Sequence, residues 1–211
     1  MAGKMFFDAG IYPVITSKLC KSGDALKTLR EVLDCGVPIV QLREKEFSKK
    51  QIYSLAAEFK KLCEKTSTLL IINDHTDIAL SLNAHGVHLG QDDLPLIAAK
   101  KIAQNLIIGI STHNLEEALL AQDCNADYIN IGPIFETKTK ELSYPPLGIK
   151  ELVRIAKNIK IPFTVMGGIK EHNLGSLLDA GAKRFAMVTE ITMADDIAEK
   201  IKNLKLKIAA Y

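Results

Sequence analysis

Apolar positions along this chain keep two rhythms in alternation. Short, nearly continuous runs bounded by polar residues are followed by stretches in which apolar residues return every three or four positions. The first rhythm describes strands buried on both faces, the second amphipathic helices packed on one side. The runs fall at residues 11–16 (IYPVIT), 38–43 (PIVQLR), 69–72 (LLII), 86–89 (GVHL), 106–111 (LIIGIS), 128–132 (YINIG), 162–166 (PFTVM) and 184–188 (RFAMV). Pro13 brings no ladder donor to the first run, which suits an edge or early strand position.

Each run is followed by a helical pattern. From Asp24, the residues Leu26, Leu29, Val32 and Leu33 share one face until Gly36, well placed just past a helix end. Ser48 and Gln51 have the spacing of a capping box ahead of Ile52, Leu55, Ala56, Phe59 and Cys63. Further helices are predicted through Ile78, Ala79 and Leu82, over residues 95–103 with Pro95 at the first helical position, and after Asn114 with Glu117. Three more follow, over 148–157, through Leu174, Leu177 and Leu178, and through Ile197, Ala198, Ile201 and Leu204. Eight strand–helix pairs in one stretch of this length predict a single-domain, parallel (β/α)8 TIM barrel, with an open doubly wound sheet as the alternative. The longest interruption is the polar segment 133–146 (PIFETKTKELSYPP), of a length that is usually functional or disordered.

The chain has 211 residues, 47% of them hydrophobic, enough for one sizeable core. A net charge of +2 with dispersed basic residues offers no broad surface for nucleic acid or membrane, so any basic site must be local. Cys20, Cys35, Cys63 and Cys124 lie far apart without C-x-x-C spacing, as buried free thiols do in a reducing cytosol. The sequence shows neither a signal-peptide pattern nor an apolar run of roughly 18 residues, and a soluble cytoplasmic protein is the expectation. Whether it forms a homo-oligomer is not readable from the pattern.

In a barrel of this kind the chemistry sits at the C-terminal ends of the strands. The polar clusters of the sequence collect there: Gln41, Arg43 and Lys45 after the second run, Asn73 and Asp74 after the third, Gln91 to Asp93 after the fourth, Ser111 after the fifth. Thr137 to Lys140 follow the sixth, Gly167 and Gly168 the seventh, Thr189 the eighth. Arg43 and Lys45 can clamp a phosphate, although the same residues equally describe a solvated charge run. Asp74 and Asp93 are hard oxygen ligands suited to magnesium, although Asn-Asp is also an ordinary helix cap. Gly167-Gly168 and Val188-Thr189 stand where barrels bind phosphate through backbone N–H groups, and a Gly pair also serves simple tight turns. Lys138 and Lys140, interleaved with Thr137 and Thr139, form a cationic, hydroxyl-bearing loop for a second phosphate. His88 reads as a satisfied barrel residue rather than a ligand, His85 and His172 as surface or helix-start positions, and His75 and His113 as nearer the rim. No Cys/His cluster supports zinc, and no nucleophile elbow or P-loop occurs.

Read together, QLREK (41–45), ND (73–74), GVHLGQDDLP (86–95), GISTH (109–113), GPIFETKTK (132–140) and GGI (167–169) closely resemble thiamine phosphate synthase from the first strand to the eighth. The resemblance implies an enzyme joining 4-amino-5-hydroxymethyl-2-methylpyrimidine diphosphate to 4-methyl-5-(2-phosphooxyethyl)thiazole, releasing pyrophosphate, with Mg²⁺ as cofactor. It implies that Gln41, Arg43, Lys45, Asn73, Ser111 and Lys140 bind the pyrimidine diphosphate and that Asp74 and Asp93 hold the metal. Arg43, Lys45 and Lys140 would stabilise the departing diphosphate. Thr137, Thr139, Gly167, Gly168 and the Val188-Thr189 backbone would take the thiazole phosphate. Departures from the family's pattern are Thr189 where Ser is common, Met166 before the Gly pair, and His75 where Arg is frequent. The rival readings are a sister thiazole tautomerase, which typically lacks the two acids, and a catalytically silent phosphate-binding barrel.

Overall fold

The computed structural model describes residues 10–137, 139 and 145–211. The eight runs are β1 (Ile11–Ile15), β2 (Ile39–Leu42), β3 (Leu69–Asn73), β4 (Gly86–Leu89), β5 (Ile107–Thr112), β6 (Tyr128–Ile131), β7 (Phe163–Val165) and β8 (Phe185–Met187). They pair in parallel in chain order, and β1 closes on β8 through Ile11↔Phe185, Tyr12↔Ala186 and Pro13↔Met187. That last pairing makes a (β/α)8 barrel and removes the open sheet.

Closure also changes the reading of Pro13, which occupies the middle of a strand paired on both sides. The register with β2 begins only at Val14↔Gln41, after the proline. Its missing N–H therefore falls where one ladder is handing over to the other, and no edge is needed to accommodate it.

The helices are α1 (Ala25–Asp34), α2 (Lys49–Thr66), α3 (Thr76–Ser81), α4 (Leu96–Ile102), α5 (Leu115–Asp123), α6 (Gly148–Asn158), α7 (Leu174–Asp179), α8 (Thr189–Thr192) and α9 (Ile197–Ala209). Their starts follow local chemistry. The Asp24 carboxylate accepts from the N–H groups of Leu26 and Lys27, and Asn114 accepts from Glu117 N–H at 2.8 Å. Ser48 and Gln51 complete the reciprocal box ahead of α2, satisfying two helix-end donors at once. Pro95 takes the cap position, one residue before the place its sequence context suggests.

The alternation of strand side chains divides the interior into two layers. Ile15, Leu42, Leu70, Ile72, Val87, Ile108, Ile129, Val165 and Phe185 face outward against helix residues such as Leu29, Val32, Phe59, Leu152 and Leu204. Tyr12, Val14, Ile39, Leu69, Ile71, Tyr128 and Ala186 form a second cluster inside the barrel. Gln41, Asn73, His88, Ser111, Asn130 and Thr164 share the parity of these inward residues, so the barrel lumen turns polar toward the C-terminal rim. Gly109 has the same parity, and a Cβ there would lie 2.0 Å from Tyr128 Cζ. The bare backbone at 109 is what lets the Tyr128 ring cross the lumen.

Candidate active site

The charge run after β2 resolves into separate tasks. Glu44 is buried and accepts from Ser17 N–H at 2.7 Å and Ser17 Oγ at 2.5 Å, tying the turn after β1 to the barrel. Glu46 pairs with Lys18 at the surface. Arg43 and Lys45 are left for the rim. The Arg43 guanidinium is half-buried and has no hydrogen-bonding or ion-pair partner among the described residues. Burial pulls its pKa down, while Asp74 and Glu44 act in the opposite direction. A desolvated cation without a paired anion is unfavourable, and an anionic ligand would relieve it.

Lys45 Nζ lies 2.5 Å from Asp74 Oδ2. Asp74 follows β3 with φ of 63°, a left-handed conformation that Asp tolerates better than most residues, and its N–H donates to His88 O at 2.8 Å. Its carboxyl is hydrogen-bonded to that of Asp93, which also accepts from Gly90 N–H at 2.6 Å. Burial and then the neighbouring Asp93 push Asp74 above the usual carboxylate value, against the pull of Lys45. Asp93 is held below its usual value although burial pushes it up, because the Asp74 carboxyl and Gly90 N–H both bond it. Two carboxyls in contact resist ionising together, and a bound cation relieves the pair. Among the described residues no cluster of three or more His, Cys, Asp or Glu side chains could hold a metal. The donor set is thus two hard oxygen ligands, which fits a magnesium ion that completes its shell with phosphate oxygens and water.

The lumen below this rim carries a continuous polar chain that the periodicity alone did not reveal. Gln41 Nε2 donates to Tyr12 Oη at 2.9 Å, Tyr12 Oη meets Tyr128 Oη at 3.2 Å, and Tyr128 Oη meets His88 Nδ1 at 2.9 Å. His88 Nε2 then reaches Ser111 Oγ at 2.9 Å. Five side chains on β1, β2, β4, β5 and β6 thereby fix Gln41 and Ser111 relative to each other. Burial pushes His88 down to about 4 and raises both tyrosines, so every member is neutral near pH 7. His88 is the satisfied barrel residue its position in β4 suggests. Asn73 differs: its Nδ2 is buried and finds no partner among the described residues. An orphaned donor at the rim is what a ligand acceptor would satisfy.

Other histidines serve the scaffold. His85 is half-buried rather than at the surface, because its Nδ1 accepts from Leu70 N–H at 2.9 Å and so extends the β3–β4 contact. His113 Nδ1 bonds Glu117 at 2.9 Å at the start of α5, and His172 is exposed in a short turn. The four cysteines are free, with Cys20 and Cys63 buried.

A cavity of about 640 Å³ opens on the same rim between the ends of β6, β7 and β8. Thr137, Thr139, Gly167, Gly168, Val188 and Thr189 all line it, as does Lys170, which no motif singled out. The Thr137 and Thr139 hydroxyls are 2.9 Å apart. Gly167 and Gly168 have φ of 97° and 62°, and a Cβ on either would collide with the segment after β6, 2.4 Å from Pro133 Cβ and 2.3 Å from Glu136 O. Their absence of side chains therefore serves both the turn and the close approach of the threonine-bearing segment. Neither glycine N–H donates to a described residue. Lys138 and Lys140 lie outside the described residues.

The family described as thiamine monophosphate synthase matches residues 11–191. A thiamine-phosphate synthase of Halalkalibacterium halodurans is 44% identical over 191 residues, covering 90% of each chain. One from Caldicellulosiruptor bescii is 41% identical over 202 residues, covering 95% of this chain and 92% of the relative. The solved thiamine phosphate pyrophosphorylase of Pyrococcus furiosus superposes with a TM-score of 0.87 at 30% identity, covering 96% of each. With matches this long and this similar, the chain belongs to the thiamine monophosphate synthase family.

Proposed function

We propose that this enzyme condenses 4-amino-5-hydroxymethyl-2-methylpyrimidine diphosphate with 4-methyl-5-(2-phosphooxyethyl)thiazole to give thiamine phosphate and pyrophosphate. What supports the reading is two unlike sets of anion-compatible groups on one rim. One holds Arg43, Lys45 and the Asp74–Asp93 pair; the other is built of hydroxyls and backbone N–H groups around Gly167-Gly168.

The first site suits a diphosphate. Arg43, Lys45 and Lys140 would compensate the charge that develops as the bridging C–O bond breaks and pyrophosphate leaves with the bonding electrons. Asp74 and Asp93 would hold Mg²⁺, which when bound supplies Lewis-acid neutralisation of the diphosphate oxygens. Gln41, Asn73 and Ser111 would orient the pyrimidine, with Gln41 and Ser111 fixed by the lumenal chain. The resulting pyrimidine methyl cation is captured by the thiazole ring nitrogen, whose lone pair forms the new N–C bond. No protein nucleophile is needed, and holding two substrates face to face supplies the rest of the advantage. Thr137, Thr139, Gly167, Gly168, Val188 and Thr189 would seat the thiazole phosphate. The two retained acids favour this reading over the sister tautomerase and the silent barrel.

The enzyme would act on small phosphorylated molecules, without a nucleic-acid or membrane partner. Free cysteines suit the cytoplasm, and no helix among the described residues is long and apolar enough to cross a membrane. The test is pyrophosphate release by purified protein with each substrate alone and both together, with and without chelator. Release only with both substrates, abolished by chelation and restored by magnesium, is expected. Metal-independent turnover would overturn the role of Asp74 and Asp93, and no product under any condition would overturn the assignment.

A further inference from the structure

The cavity between the ends of β6, β7 and β8 is lined by a cation with no role assigned above. A phosphate monoester carries a charge of about −1.5 to −2 near pH 7. Hydroxyls and backbone N–H groups are neutral, and the carboxylates on the lining, Glu136 and Glu190, have the wrong sign. Among the described lining residues, Lys170 alone is positive. Its Nζ stands 3.3 Å from Thr189 Oγ1 and 3.2 Å from Glu190 Oε2. It thus already touches one of the residues expected to contact the phosphate.

The surroundings leave Lys170 free to change partners. Glu190 Oε1 accepts from Glu171 N–H at 3.1 Å and pairs with Lys200 Nζ at 3.3 Å, and Lys200 is itself anchored by Glu171 Oε2 at 2.7 Å. Burial pushes Glu190 up, but the Glu171 N–H, Lys170 and Lys200 together hold it below its usual value. When Lys170 turns away, Glu190 keeps a cation and a backbone donor. The exchange therefore strands no buried charge, the outcome that would otherwise make it unfavourable. The Lys170 side chain is 38% exposed, so it can move without unpacking the core.

We propose that Lys170 is a specificity-determining cation of the second anion site. It parks on Glu190 in the free enzyme and transfers to the substrate phosphate on binding, so that the phosphorylated thiazole is preferred over its unphosphorylated alcohol. This rests on the synthase reading above and adds a residue to it.

The experiment compares kcat/KM for the thiazole phosphate and for the corresponding thiazole alcohol in wild type, Lys170→Met and Lys170→Arg. One charge-assisted contact at a half-exposed site predicts a fall of about tenfold in the phosphate-to-alcohol ratio for Lys170→Met. Lys170→Arg should retain most of the preference, because the charge persists. A folding defect lowers turnover of both thiazoles together and leaves the ratio intact. Calorimetric titration with the thiazole phosphate reads the same contact without turnover, and a loss of affinity of about tenfold is expected there too. An unchanged ratio in Lys170→Met, in an enzyme that makes thiamine phosphate, overturns the role of Lys170 and leaves the synthase reading standing. Absence of product in the wild type overturns that reading, and calorimetry still decides Lys170: equal affinity in wild type and Lys170→Met rejects it.

Discussion

Replacing Asp93 by asparagine separates a catalytic role from a structural one, because the two make opposite predictions about stability. The introduced amide can still accept from Gly90 N–H through its carbonyl oxygen, so the loop after β4 keeps its tie. What disappears is one of two like charges in contact. At about 4 Å and an effective dielectric constant near 20, such a pair repels by about 4 kcal/mol. Lys45, itself 48% exposed, already offsets much of that from 2.5 Å. A net gain of about 1 kcal/mol for the metal-free variant is the reasonable remainder, or about 2–4 °C in Tm for a chain of this size.

The pH dependence has a definite sign. Asp74 has a raised folded pKa, so the wild type carries its unfavourable charge above that pKa and loses the burden as acid protonates it, while the Asp93 charge, held low by the Asp74 carboxyl and Gly90 N–H, offsets part of that burden. The advantage of Asp93→Asn is therefore greatest near neutral pH and shrinks on acidification. Activity moves the other way: loss of one of two metal carboxylates should lower kcat/KM by about 100-fold at limiting magnesium, with partial recovery at high magnesium. Thermal unfolding in chelator across pH, beside rates across a magnesium series, makes the comparison. A variant less stable at neutral pH, or fully active at low magnesium, would refute the like-charge, metal-binding account of this pair.

Two further outcomes are expected. Lys45→Ala should lower kcat/KM by about 100-fold, whereas Thr189→Ser, which keeps the hydroxyl and backbone donors, should change it by less than about threefold; steady-state rates showing equal effects would refute the assignment of Lys45 to the leaving group. His88 should make the fold acid-sensitive, because the unfolded imidazole takes its proton near pH 6.5 and the folded one only at about 4. That stability is present above pH 6.5 and is lost as pH falls toward 4, by about 3 kcal/mol, and urea unfolding at pH 7 and pH 4.5 measures most of it.

Much of this molecule was readable in one dimension because strand and helix periods differ and each leaves its mark on the order of apolar residues. The eight runs, the caps at Asp24, Ser48 and Asn114, and the clustering of Gln41, Arg43, Asn73, Asp74, Asp93 and Ser111 in or just after the last residues of strands are local patterns. Parallel pairing then carries all strand ends to one rim. Closure was not local: it needed β1 to find β8, a contact between the first and last strands that no neighbouring residues encode, and Pro13 fits in mid-strand because the β2 register begins only at Val14. The lumenal chain from Gln41 to Ser111 likewise depends on three-dimensional reach. Tyr12 and Tyr128 are 116 residues apart and look like ordinary apolar strand residues until Gly109 lets one ring cross toward the other. The sorting of Arg43 and Lys45 from Glu44 and Glu46, and the presence of Lys170 beside Thr189, came from packing too. Residue order determines which groups leave the sheet at its reactive end. Only the folded packing decides which of those groups meet, because distance between side chains is set by barrel closure and lumen volume rather than by separation along the chain.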